Sequence, residues 1–149
     1  MKVFKFRLQK VMEFRQHLEK EKQRDLAQAK NKLQQEEKKL ELLNHTKDEC
    51  QKETRQKKKD KINLKELSLY QIYLTKLHHQ IKGQKITVVK TGEEVEGRRG
   101  ELLEKSREKK VLENLRKTRL LSYKEEANRI EQKEMDELAR DISLRKKKR

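Results

Sequence analysis

Apolar residues recur along the first fifty positions at helical intervals. Phe4, Leu8, Val11 and Leu18 follow steps of four, three and seven. After a one-residue skip the stripe resumes as Leu26, Ala29, Leu33, Leu40, Leu43 and Cys50. Steps of three and four keep such residues on one narrow helix face, the pattern of a coiled-coil seam, and the skip relaxes its mean period toward 3.6. The spacing predicts helix one over residues 3–56. The stripe stops in the polar, mostly basic stretch 51–61, which predicts a turn over 57–62. Asn63 and Glu66 then have capping-box spacing, and Ile62 and Leu67 stand where a hydrophobic staple would put them. Helix two is predicted over 64–143, carrying Leu67, Tyr70, Leu74, Leu77, Ile81, Val88, Val95 and Leu102, with a basic tail at 144–149.

Folding the chain back on itself near residue 60 registers the two stripes. Leu43 meets Leu77, Leu40 meets Ile81, Leu33 meets Val88 and Leu26 meets Val95. Further out, Leu18 meets Leu102 or Leu103, Val11 meets Val111 and Leu8 meets Leu112, while Ala29 falls opposite Gly92. The expected fold is all-α, one domain of two long helices forming an antiparallel coiled-coil hairpin, the second helix longer than the first. Gly83, Gly92, Gly97 and Gly100 lie inside helix two, and each weakens a helix interior by about 1 kcal/mol relative to Ala. Residues 86–89 are β-prone, and Thr91 with Glu94 could cap a restarted helix. The expectation is one continuous but softened helix, with a break near Gly92 as the alternative.

Two features exceed what a hairpin needs. Leu69, Ile72 and Tyr73 lie off the seam beside the turn, an apolar cluster suited to docking. Leu120, Leu121, Tyr123, Ala127, Ile130, Leu138 and Ile142 lie beyond residue 119, where a helix one starting near residue 2 offers no cover. That overhang predicts a partner or a second copy.

Composition narrows the classes. The chain has 149 residues, 42 Lys and Arg against 26 Asp and Glu, a net charge of +16, no proline and no tryptophan. With 46% charged and 31% apolar residues, it cannot enclose an ordinary globular core, yet its abundant Leu, Glu, Lys, Gln and Arg are good helix formers. The single Cys50 allows no internal disulfide and favours a reducing compartment. Neither a signal-peptide apolar segment nor an apolar run of about 20 residues is present in the sequence. His17, His45, His78 and His79 are scattered, with no metal-ligand spacing and no phosphate-cradling loop. No enzyme, cofactor or metal is expected. The basic runs 57–61 and 145–149 invite nucleic acid or acidic lipid, but no stacking aromatics are interleaved with them. No specific nucleic acid is expected, and peripheral membrane contact is.

The opening residues Phe4, Phe6, Arg7, Leu8, Gln9 and Val11, continuing to Arg15, Glu19, Leu26 and Ala27, resemble the flagellar export protein FliJ family. The closing stretch from Glu131 to Ala139 is similar to that family's C-terminal signature. The resemblance implies a non-enzymatic component of the flagellar type III export apparatus, similar in fold to the coiled-coil part of the rotary ATP synthase gamma subunit. It implies three partners: a FliI-like export ATPase hexamer, a FlhA-like export gate protein, and export chaperones. It implies a cytoplasmic protein, peripheral to the inner membrane at the flagellar base. The family's gate-binding stripe, aligned through Tyr70 and Gln71, falls on Tyr73, Leu77, Gln80 and Gln84, with Leu69 and Ile72 beside it. Gln80 replaces a small residue and Gln84 a histidine. The expected ATPase-ring contacts are Phe4, Phe6, Arg7, Leu120, Tyr123, Ile130 and Met135. The stalk protein of a virulence type III system and a basic coiled-coil nucleic-acid binder are the rival readings.

Overall fold

The computed structural model describes residues 2–61 and 63–148. Two α-helices make up the fold, α1 (Gln9–Lys59) and the longer α2 (Leu64–Lys147), paired antiparallel as a hairpin, with no strand among the described residues. Helices of this length follow from a chain without proline and rich in helix formers. At the turn, the Asn63 side-chain oxygen accepts a hydrogen bond from the Lys65 amide at 3.4 Å. That is a plain N-cap bond to the second helical residue, not the bond to the Glu66 amide that the expected capping box would make. The staple expected at Ile62 lies outside the described residues.

The chain clusters into two compact units, Met1–Glu19 with Glu104–Arg149, and Lys20–Leu103. In the second unit the core is Leu26, Ala29 and Val95, with Leu33 and Leu102 packed against them. Leu77 and Ile81 are buried nearer the turn, as are Cys50 and Thr54. The buried Thr54 and Thr91 hydroxyls donate to the carbonyls of Cys50 and Thr87, one helical turn back, which satisfies them without a partner from the other helix.

The seam differs from expectation in one respect. Along α1, every position of an unbroken alternation of three- and four-residue steps from Leu8 to Thr54 is buried or half-buried: Leu8, Met12, Arg15, Glu19, Lys22, Leu26, Ala29, Leu33, Glu36, Leu40, Leu43, Lys47, Cys50 and Thr54. No skip interrupts it. Met12 takes the place expected of Val11, and both Val11 and its expected partner Val111 are exposed. The apparent skip arose because Arg15, Glu19 and Lys22 occupy seam positions as charged residues.

The amino terminus also departs from expectation. Residues 2–6 are not helical, and α1 begins at Gln9 rather than near residue 3. No capping side chain precedes it; instead the Gln9 amide donates to the Phe6 carbonyl at 3.1 Å. A segment free of helical coiling can advance more than the roughly 1.5 Å per residue of an α-helix, so the same residues can reach farther along α2 than a helix would. Cover therefore extends to Tyr123 and Ala127, which are half-buried, and the uncovered stretch starts at residue 128 rather than 119.

Helix α2 runs without a break through all four glycines, none of which has a positive φ. A Cβ at Gly92 would meet nothing within 4 Å, so the small-against-small approach expected between Ala29 and Gly92 is not what requires glycine there. Gly92→Ala is expected to raise stability by about 0.5–1 kcal/mol, since it restricts the unfolded chain and favours the helix. Thermal melting followed by circular dichroism checks this; a lower melting point would contradict a continuous helix at that position.

Candidate docking surfaces

Within the unit that holds the turn, α2 presents different residues on different faces. Leu69, Ile72 and Tyr73 are exposed, as the off-seam pattern requires. Tyr70 is half-buried, with the Lys57 ammonium 5.0 Å from its ring centre; a side-chain hydrogen bond with Tyr70 is the main cause holding the Lys57 pKa above its usual value. Lys57, Glu66, Leu69, Tyr70 and Tyr73 line a shallow groove of about 320 Å³. Of the four residues expected to form a gate-binding stripe, Tyr73 and Gln80 are exposed, whereas Leu77 is 3% exposed and belongs to the core. Gln84 is half-buried and donates to the Glu36 carbonyl oxygen at 2.9 Å and to its carboxylate at 2.6 Å. That bond to Gln84 is the main cause holding the Glu36 carboxyl below its ordinary pKa. Where the stripe would carry a histidine, this chain has an interhelical clamp.

In the same unit Lys22 pairs with Glu101 at 3.2 Å, which holds the Glu101 carboxyl below its usual range. Lys32 pairs with Glu94 at 3.7 Å. These are partly exposed pairs, the kind that set register more than stability.

The other unit carries the chain ends. Phe6 is buried, with the Arg119 guanidinium 6.0 Å from its ring centre. Phe4 packs at a tilt against Tyr123, ring centres 5.5 Å apart, and the Tyr123 hydroxyl donates to the Lys2 carbonyl. Arg15 pairs with Glu108, and Lys109 with Glu19 at 3.0 Å, the latter bond raising the Lys109 pKa. Leu120 is half-buried and Arg7 exposed. Beyond Ala127 every described residue is exposed, Ile130, Met135, Leu138 and Ile142 among them. At 100° per residue, Ala127, Ile130, Met135, Leu138 and Ile142 fall on one side of α2, an apolar stripe about four turns long. So Phe4 packs on Tyr123 and Phe6 is buried beside Arg119, with Leu120 half-buried, while Ile130 and Met135 stand exposed.

Among the described residues no group of three or more His, Cys, Asp or Glu could hold a metal ion, and no helix is long and apolar enough to cross a membrane. Sequence reasoning missed the charged seam positions, Met12, and the bond between Gln84 and Glu36. Admitting polar residues to the three-and-four spacing would have found the first two, whereas no spacing signals the last.

A two-helix hairpin with exposed apolar stripes and an open groove offers surfaces on which another protein could dock. The family model for the flagellar FliJ protein matches residues 4–148, nearly the whole chain. The chain belongs to the FliJ family and is thereby a component of the flagellar export apparatus. No curated protein and no solved structure matches it.

Proposed function

We propose that this chain is a non-enzymatic central stalk that promotes assembly of the export ATPase ring and couples the ring to the membrane export gate. The observation that carries the reading is the uncovered stripe after Ala127: a helix with an apolar face and no intramolecular partner is built to be covered by another protein. In this reading Phe4, Phe6, Leu120 and Tyr123 stiffen the end of the hairpin, and Arg7, Ile130 and Met135 meet the inside of the ring. Gate contact falls to Tyr73 and Gln80, with Leu69 and Ile72 beside them, while Leu77 and Gln84 fix the helix face that presents them. Export chaperones are further partners, and the protein works in the cytoplasm, peripheral to the inner membrane.

Co-purification with the export ATPase and with the cytoplasmic part of the gate protein, at near-physiological salt, tests the reading. Both are expected to be retained while nucleic acid is lost. Tyr73→Ala is expected to keep full helicity, because the ring is exposed, yet weaken gate retention about tenfold, the usual cost of losing an interface aromatic. Retention of nucleic acid without the ATPase would overturn the stalk reading.

A further inference from the structure

The turn end of the hairpin combines a run of lysines with exposed aliphatic side chains. From residue 51 to 66 the sequence carries seven Lys or Arg against three Asp or Glu, with Lys57, Lys58, Lys59, Lys61 and Lys65 closest to the turn. Interleaved with this charge are large apolar side chains in water: Leu64 is 80% exposed, Leu69 66% and Ile72 65%. At 100° per residue, Lys65, Leu69, Ile72 and Lys76 share one face of α2, centred about 70° around from the face of Tyr73, Gln80 and Gln84. Ile72 therefore lies off that face and Leu69 at its edge, and both are bracketed by Lys65 and Lys76.

We infer that this face is a membrane-surface contact: the turn lysines sit on anionic lipid headgroups while Leu64, Leu69 and Ile72 enter the headgroup–acyl boundary. An apolar patch ringed by long cationic side chains is the composition of an interfacial helix, because the lysine stems reach along apolar surface while their ammonium groups stay at the phosphates. Charge complementarity selects an anionic bilayer. A nucleic acid would satisfy the lysines but has no use for three exposed aliphatic residues, and only Tyr73 offers an exposed ring beside them. The inference goes beyond the stalk reading and does not depend on it, since it needs no ATPase and no gate.

The absence of tryptophan from the chain makes the test specific. Leu64→Trp places a single reporter at the turn, and Leu144→Trp places one in the exposed C-terminal part of α2. Both go into phosphatidylcholine vesicles with and without phosphatidylglycerol, at near-physiological salt. The emission of the turn reporter is expected to shift to the blue only with anionic vesicles. Each of Lys57→Gln, Lys58→Gln and Lys59→Gln is expected to weaken partitioning about fivefold. Leu69→Ser with Ile72→Ser is expected to weaken it roughly tenfold at unchanged charge. These residues are exposed, so far-UV circular dichroism should stay constant. A silent turn reporter, a shift confined to the reporter at 144, or serine variants that bind as well as the parent would each overturn the inference, the last by reducing the attraction to net charge. It is equally overturned if the lysine substitutions weaken single-stranded DNA binding and leave vesicle binding intact.

Discussion

Val95→Asp is expected to destabilise the hairpin by roughly 3 kcal/mol or more, the largest loss of any single substitution considered for this chain. Val95 is 4% exposed and packs with Leu26 and Ala29, flanked by Leu33 and Leu102. A carboxylate there has no cation among those neighbours, and Glu94 and Glu96 adjoin it in sequence. Desolvation and like charge both raise its folded pKa above the unfolded value. The damage should therefore be greatest at neutral pH, where the unfolded state is ionised at no cost, and should shrink as pH falls through the raised pKa. Urea unfolding followed by circular dichroism, at pH 7 and near pH 4, reads both effects. Val89→Asp is the control: Val89 is on the same helix but exposed, and the change should stay within about 0.5 kcal/mol. If the two variants melt alike, Val95 is not a seam residue and the register is wrong.

The parts of the fold legible in the sequence are those fixed by apolar spacing. Leu26, Leu77, Ile81 and Val95 are buried as the stripes require, whereas the continuity of α2 through Gly92 was the favoured reading but not decided by the sequence, because Thr91 with Glu94 offered a restart cap. What the apolar pattern hid was the stretch where ion pairs stand in for leucines. Arg15 with Glu108, Glu19 with Lys109, and Lys22 with Glu101 keep the heptad going while reading as a gap. The N-terminal segment was hidden for another reason. Phe4 and Phe6 alternate over two residues in what otherwise reads as a helix face, and such a short apolar run does not decide between extended and helical chain. Its packing on Tyr123 is a tertiary contact with no local signature. Of the docking residues, Tyr73 was legible as an off-seam ring, but the seam burial of Leu77 and the clamp made by Gln84 depend on the partner helix, which periodicity along one helix does not see.

Removing residues 128–149 is expected to leave the hairpin as stable as the full chain and to abolish its stimulation of the export ATPase. The cut follows from where cover ends. Ala127 is the last half-buried residue, and every described residue beyond it is exposed, so loss of that stretch should change unfolding stability by no more than about 0.5 kcal/mol. Cutting after Leu115 would be a poorer test. It would remove Arg119 and Tyr123, which cover Phe6 and Phe4, and confound ring contact with fraying of the packed end. Truncation also takes away the basic tail, so charge and stripe must be separated. Ile130→Ser combined with Met135→Ser and Leu138→Ser keeps every charge and removes half or more of the uncovered apolar surface. If the stripe grips the ring, this triple variant should lose stimulation nearly as completely as the truncation, while neutralising Arg145, Lys146, Lys147 and Lys148 to Gln should mainly slow association and steepen no loss at saturation. A triple serine variant that still stimulates the ATPase fully, at concentrations where the full chain saturates, would remove the uncovered stripe from the mechanism and with it the ring-entry role of this end of the hairpin.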